Sequence, residues 1–206
     1  LELLLHWIAY LRTAGLETAE FDKPLRHTLD AMANGGLRDH LGGGFHRYST
    51  DAQWLVPHFE IMLYDNAMLA WIYAEASRLY NEPRYETVAR GICDFVLREM
   101  TSPDGLFYTA FDAEVDAQEG LYYLWTMVDL EQVLDPREAA RFAVVYGLDR
   151  GPNFADPHQG AGQPDQNVLY LPTGPEHESD PDIVAMREKL YLHRLTRKKP
   201  MLDTKI

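Results

Sequence analysis

Two histidines, an arginine, an aspartate and a glutamate fall between Gly42 and Glu60, in GGGFHRYSTDAQWLVPHFE, interleaved with Phe45, Tyr48, Trp54 and Phe59. A hydrophobic core has little use for so many polar types, because each buried polar group needs a partner. A ligand pocket lined by aromatics and a few convergent polar groups does use them. His46 and His58 are the candidate acid/base residues, since imidazole exchanges protons near neutral pH. The glycines ahead of His46 permit tight turns and close backbone approach. If FHRYSTD is extended, His46, Tyr48 and Thr50 share one side, with Phe45, Arg47 and Ser49 on the other. Arg47 would orient a hydroxyl or carboxylate through its planar fork. Tyr48 and Trp54 are rings able to stack on a sugar. Asp51 completes the candidate binding set in this loop. The competing reading is a structural loop whose arginine and aspartate pair with each other.

The second stretch is WLVPHFE. Proline is favoured at the first helical position, so Pro57 predicts a helix starting there and running to about Tyr80. His58 and Glu60 then occupy its first turn, where the dipole favours a carboxylate and open N–H groups take an anion or hydroxyl oxygens. Asp65, seven residues after His58, falls on the same face. A capping Glu60 and a satisfied buried His58 are the plainer alternative. The third stretch is the acidic DAEVDAQEG. Paired carboxylates do acid/base work on glycosidic bonds when burial keeps one protonated. Asp112 and Glu114 directly follow FYTAF, closer to core, and are the candidate catalytic pair; Asp116 and Glu119 read as solvated turn residues.

Bulk properties exclude several classes. The 206 residues carry a net charge of −13, which argues against nucleic acid; the one basic run, RLTRKK, is short and reads as a solvated helix end. No apolar run approaches the roughly 20 residues of a membrane span. The single cysteine, Cys93, allows no internal disulfide and fits a reducing, cytoplasmic setting. There is no HExxH, Cys/His cluster, phosphate loop or GxSxG elbow. Neither a metal nor a cofactor is expected.

The elements that must position these residues are mostly helical. Leu3–Leu11 and Pro24–Ala33 read as helices, the second stopped by Asn34-Gly35-Gly36. The helix from Pro57 is apolar nearly all round and should be covered on most sides. The next, Arg84–Met100, carries one apolar stripe, Tyr85, Val88, Ala89, Ile92, Phe95 and Val96. An inner helix followed by an outer one is the unit of an α/α barrel; a bundle around one central helix gives the same pattern. LFYTAF and LYYLWT read as a short strand pair joined by the acidic loop. VDLEQVL, REAARFAVVYG and Asp182–Thr196 return to helix, Gly151–Gln166 reads as a long loop, and NVLYL as a short strand. The chain opens without Met inside an apolar run and stops without a taper, so it is expected to be part of a longer protein.

The block GGLRDHLGGGFHRYSTDAQWLVPHFEIMLYDNA resembles the thioredoxin-domain protein family related to the spermatogenesis-associated proteins. The likeness continues through GLFYTAFDAE, EGLYYLWT, NVLYL and KPMLDTKI. The family pattern has Lys where this chain has Ile61, and an Asp at the place of Glu114. The resemblance implies an all-α fold, a six-hairpin glycosidase-like (α/α)6 toroid truncated at both ends, with a short β-hairpin insertion. It implies that residues 1–206 are a partial barrel lacking the family's thioredoxin-like domain, which would be a partner in the full-length protein. Related barrels include sugar 2-epimerases, which use histidines, and unsaturated glucuronyl hydrolases, which use acidic residues. The expected function is therefore a carbohydrate pocket lined by His46, Arg47, Asp51, His58, Glu60, Asp112 and Glu114. It would carry epimerase-type or hydrolase-type chemistry. The rival expectations are a non-catalytic carbohydrate- or protein-binding module and a purely structural polar network.

Overall fold

The computed structural model describes residues 1–155 and 166–205. It is helix-rich with small sheets. The described helices are α1 (Glu2–Thr13), α2 (Ala19–Asn34), α3 (Leu63–Tyr80), α4 (Pro83–Glu99), α5 (Met127–Glu131), α6 (Pro136–Tyr146) and α7 (Pro181–Arg194). The strands are two residues each: β1 (Tyr48–Ser49), β2 (Pro57–His58), β3 (Ile61–Met62), β4 (Ala110–Phe111), β5 (Glu114–Val115), β6 (Gln118–Glu119) and β7 (Leu202–Asp203). They form an antiparallel β1–β2 pair, a β3–β4–β7 sheet and a β5–β6 hairpin.

Local chemistry accounts for the helix ends. Thr126 with Asp129, and Asp135 with Glu138, make reciprocal capping boxes ahead of α5 and α6. Pro136 and Pro181 take first-turn positions, where no backbone donor is lost. α3 stops at Asn81, which adopts the left-handed conformation at φ 49°. α4 buries Tyr85, Val88, Ala89, Ile92 and Phe95 and turns the Glu86–Arg90 pair to water. Three apolar clusters result: one from α1 to α4, one around Trp125 and α5 to α7, and one joining Phe59, Ile61, Phe111 and Tyr123 beside the strands.

Four sequence expectations are corrected. The helix expected from Pro57 begins six residues later, at Leu63. Pro57, Phe59 and Ile61 are buried while His58, Glu60 and Met62 are partly exposed, and this period of two is that of a strand. His58 thus ends β2 and Glu60 lies between β2 and β3, both outside any helix N-terminus, and His58 and Asp65 share no helical face. LFYTAF and LYYLWT do not pair with each other. β4 lies between β3 and β7, the acidic loop folds into β5–β6, and Trp125 bridges Asn167 of NVLYL at a single point. α2 starts five residues before Pro24 and keeps that proline inside the helix. Finally, α3 is not covered on most sides. Tyr64, Met68 and Trp71 are exposed along it, beside exposed Leu3 (83%), Trp7 and Tyr10 of α1. The loop expected over 151–166 lies largely outside the described residues.

Candidate functional site

The β1–β2 pair puts Tyr48 directly across from His58. Their rings stack at 5.0 Å, with Tyr48 52% exposed. His58 Nδ1 donates to Glu119 Oε1 at 2.7 Å, and the same oxygen accepts the Phe59 N–H at 3.3 Å. A carboxylate only accepts, so this bond requires a proton on Nδ1 and turns Nε2 away from Glu119. Nε2 sits 3.7 Å from Glu60 Oε2, which in turn accepts from Arg47 Nη1 at 2.7 Å. Asp65, at the start of α3, is adjacent in charge. Burial raises its carboxyl and Glu60 adds to this, while Arg47 opposes. Its Oδ2 is buried without a protein partner among the described residues. The assembly is a carboxylate-oriented histidine with a stacked phenol on one side and an Arg–Glu pair on the other.

Glu119, read from sequence as a solvated turn residue, holds the histidine instead. The hairpin carrying it turns at Asp116 and Ala117, both with positive φ (53° and 60°). Such a turn normally announces itself as Asn-Gly or Asp-Gly, a signal absent here. Gly120, at φ 74°, then lets the chain close against the Phe59 ring, where a Cβ would lie 2.5 Å away. Asn66 is a residue that sequence reasoning missed. Fully buried, it accepts the Phe45 N–H and donates to the Phe45 and Met62 carbonyls, pinning the His46 loop to the start of α3.

The other expected residues stand outside this hydrogen-bonded group, although Glu114 faces Glu119 across the β5–β6 pair. His46 is 2% exposed, its Nδ1 donating to the Phe59 carbonyl at 3.0 Å and its ring edge-on to Tyr123. Burial pushes its imidazole down to about 4, with Arg194 and His58 adding to the effect against Asp39 and the Phe59 bond. Asp51 does not pair with Arg47. It accepts the N–H groups of Gln53 and Leu55 at Oδ1 and of Val56 at Oδ2, and so shapes its own loop. Trp54 holds φ 61°, and its carbonyl accepts from Gly36. Asp112 and Glu114 are exposed, Asp112 Oδ1 accepting the Glu114 N–H at 3.2 Å. Neither hydrogen-bonds the His58 group among the described residues. There too, no group of three or more His, Cys, Asp or Glu is arranged to hold a metal ion, and no helix is long and apolar enough to cross a membrane.

No family model matches the chain. It is 37% identical over 227 residues to spermatogenesis-associated protein 20 of Homo sapiens, an alignment covering 98% of the chain and 29% of the human protein. The protein of the same name in Rattus norvegicus is 38% identical over 206 residues, covering 87% of the chain and 26% of the relative. An uncharacterized protein of Caenorhabditis elegans is 32% identical over 210 residues, covering 88% and 28%. These likenesses relate the chain to the spermatogenesis-associated protein 20 family. The chain spans less than a third of the length of the curated relatives it matches.

Proposed function

We propose that the chain carries an acid/base site for carbohydrate chemistry, with His58 as the proton-transfer group and Glu119 as the residue that orients it. The observation that carries this reading is the 2.7 Å contact between His58 Nδ1 and Glu119. A carboxylate behind an imidazole fixes the tautomer and stabilises the imidazolium that forms when the far nitrogen takes a proton. His58 Nε2 removes the proton from the carbon beside a sugar carbonyl, the electron pair moves onto the carbonyl oxygen, and the proton returns to the other face. The exposed ring of Tyr48 offers a stacking surface for the sugar, and the Arg47–Glu60 pair offers donors and acceptors to its hydroxyls. A hydrolytic reading is favoured by Asp65, a carboxyl that burial and Glu60 hold towards its protonated form. The exposed Asp112 and Glu114 support it less.

In the same reading α1–α2 and α3–α4 are successive helical hairpins of an (α/α)6 toroid. The longer protein adds a thioredoxin-like domain and works in the cytoplasm. The test is incubation in D2O with a panel of reducing sugars, followed by proton NMR. Deuterium should appear next to the carbonyl carbon. His58→Ala should cut its rate by about 10²–10⁴-fold, and Glu119→Gln should slow it while the protein stays folded. New reducing ends instead, lost in Asp65→Asn, would establish hydrolysis. Neither signal, with folded variants, would overturn the catalytic reading in favour of a binding module.

A further inference from the structure

A groove of about 950 Å³ runs between α4 and α7, with Arg38 and His40 to Gly43 along its floor. It shares no residue with the Tyr48–His58 group. Arg38, His40 and Glu178 in its floor are each less than a tenth exposed. Arg38 Nη1 donates to Glu178 Oε1 at 2.6 Å, and Arg187 of α7 approaches the same oxygen at 3.5 Å. Arg84 enters from the first turn of α4, donating to Asp30 and Asn34. Burial raises the Glu178 carboxyl, but Arg38, with Arg187 and Arg84, outweighs it and keeps the group ionised. Two guanidinium groups thus meet the Glu178 carboxylate, and a third, Arg84, stands nearby on Asp30. The floor is cationic in a chain whose net charge is −13.

Unpartnered polar atoms gather in the same place. Arg38 Nε, His40 Nδ1 and Arg84 Nε are buried and have no protein partner among the described residues. His40 Nε2 donates to the Gly35 carbonyl at 3.0 Å, which leaves Nδ1 as a lone-pair acceptor. Burying such atoms without partners is costly, and binding sites are where that cost is offset. The rim carries both signs: Glu82, Asp94, Glu176 and Glu188 stand with Arg90 and Arg98, which are paired to Glu86 and Glu99.

We propose that this groove binds a small oxyanion that also carries hydroxyl groups, a hydroxy-carboxylate or the phosphate ester of a polyol. Its anionic end lies among Arg38, Arg84 and Arg187, and one hydroxyl donates to His40 Nδ1. The planar guanidinium fork suits carboxylate and phosphate alike. Calorimetric titration of the protein with sodium gluconate, with glycerol 3-phosphate and with glycerol tests it. One or both anions should bind, glycerol should not, and the anion that binds identifies the head group. Arg187→Gln, at a partly exposed position, should weaken binding about tenfold or more. In 15N-histidine spectra the His40 Nδ1 resonance should shift on binding. Binding of neither anion, equal binding of glycerol, or unchanged affinity in folded Arg187→Gln would each overturn the proposal.

Discussion

His46 and His58 come from one short stretch and meet opposite fates. The first is sealed beside Phe59 and Tyr123, the second stacks under an exposed phenol. Burial holds His46 down to about 4 against an ordinary value of 6.5, and holds His40 to about the same. In the unfolded chain both regain ordinary values, so on acidification the unfolded state binds protons first. Their contribution to stability is intact above pH 6.5 and is lost as pH falls towards 4. The expected slope is about 1.4 kcal/mol per pH unit for each histidine within that window. Urea unfolding at a series of pH values reads it directly, and His46→Gln should remove about half of the slope between pH 6 and 5. Carboxylates held below their ordinary range, such as Asp39 and Glu178, add their losses only at lower pH. A flat profile from pH 6.5 to 5 would contradict the enclosed, neutral state of both rings.

Elements meet here through glycine at close range, and one contact makes an asymmetric prediction. Gly43, at φ +93°, lies against α4 so closely that a Cβ would stand 2.7 Å from the Gly91 carbonyl oxygen. Gly91 faces the same contact from inside the helix, yet a Cβ there would find its nearest neighbour at 3.9 Å. Gly43→Ala should destabilise by about 1–3 kcal/mol. Gly91→Ala should stabilise by about 0.5–1 kcal/mol, as alanine does in a helix interior. Thermal melts of the two variants decide it; equal shifts would refute the contact geometry. Much of the helical framework was legible because its signals are local. The stripe of α4, the stop at Asn34-Gly35-Gly36 and the end of α3 near Tyr80 need only neighbouring residues. Pro57 to Met62 was not. A proline before a long apolar run fits a helix start, while the alternation of Phe59 and Ile61 with His58 and Glu60 fits a strand. Pairing with the distant Tyr48 decides between them. His58 was legible as a polar group needing a partner, but Glu119, 61 residues away, was not, since only the β5–β6 hairpin brings it back.

Across the whole molecule, the early loop is clamped by the late helix. Arg194 sends Nη1 and Nη2 to the two oxygens of Asp39, each at 2.7 Å, and its guanidinium lies over the rings of Tyr122, Tyr123 and Tyr191. Burial would raise the Asp39 carboxyl, but the charge and both hydrogen bonds of Arg194 hold it far below the usual carboxylate range. Both groups are nearly inaccessible to water, so removing one strands the other. Arg194→Ala should cost about 3–5 kcal/mol in denaturant unfolding. Adding Asp39→Ala should cost far less than a second such loss, because the stranded charge disappears. Additive losses would show that the pair is not coupled. Around the same clamp, Gly42 leaves room that a Cβ would take, 2.3 Å from Asp39 Oδ2 and 2.8 Å from Arg194 Nη2.

The clamp joins residues 155 positions apart, and the strand that closes the β3–β4–β7 sheet arrives later still, at Leu202. At ribosomal rates of about 5–20 residues per second, Asp39 leaves the synthesis site roughly 8–30 s before Arg194 does. Through that interval α1 to α4 can collapse together, but the loop bearing His46 waits with an uncompensated carboxylate and an unfinished sheet. The nascent chain is therefore most open to holdases and proteases between the emergence of this loop and that of α7, and the Asp39–Arg194 clamp closes only once α7 has emerged.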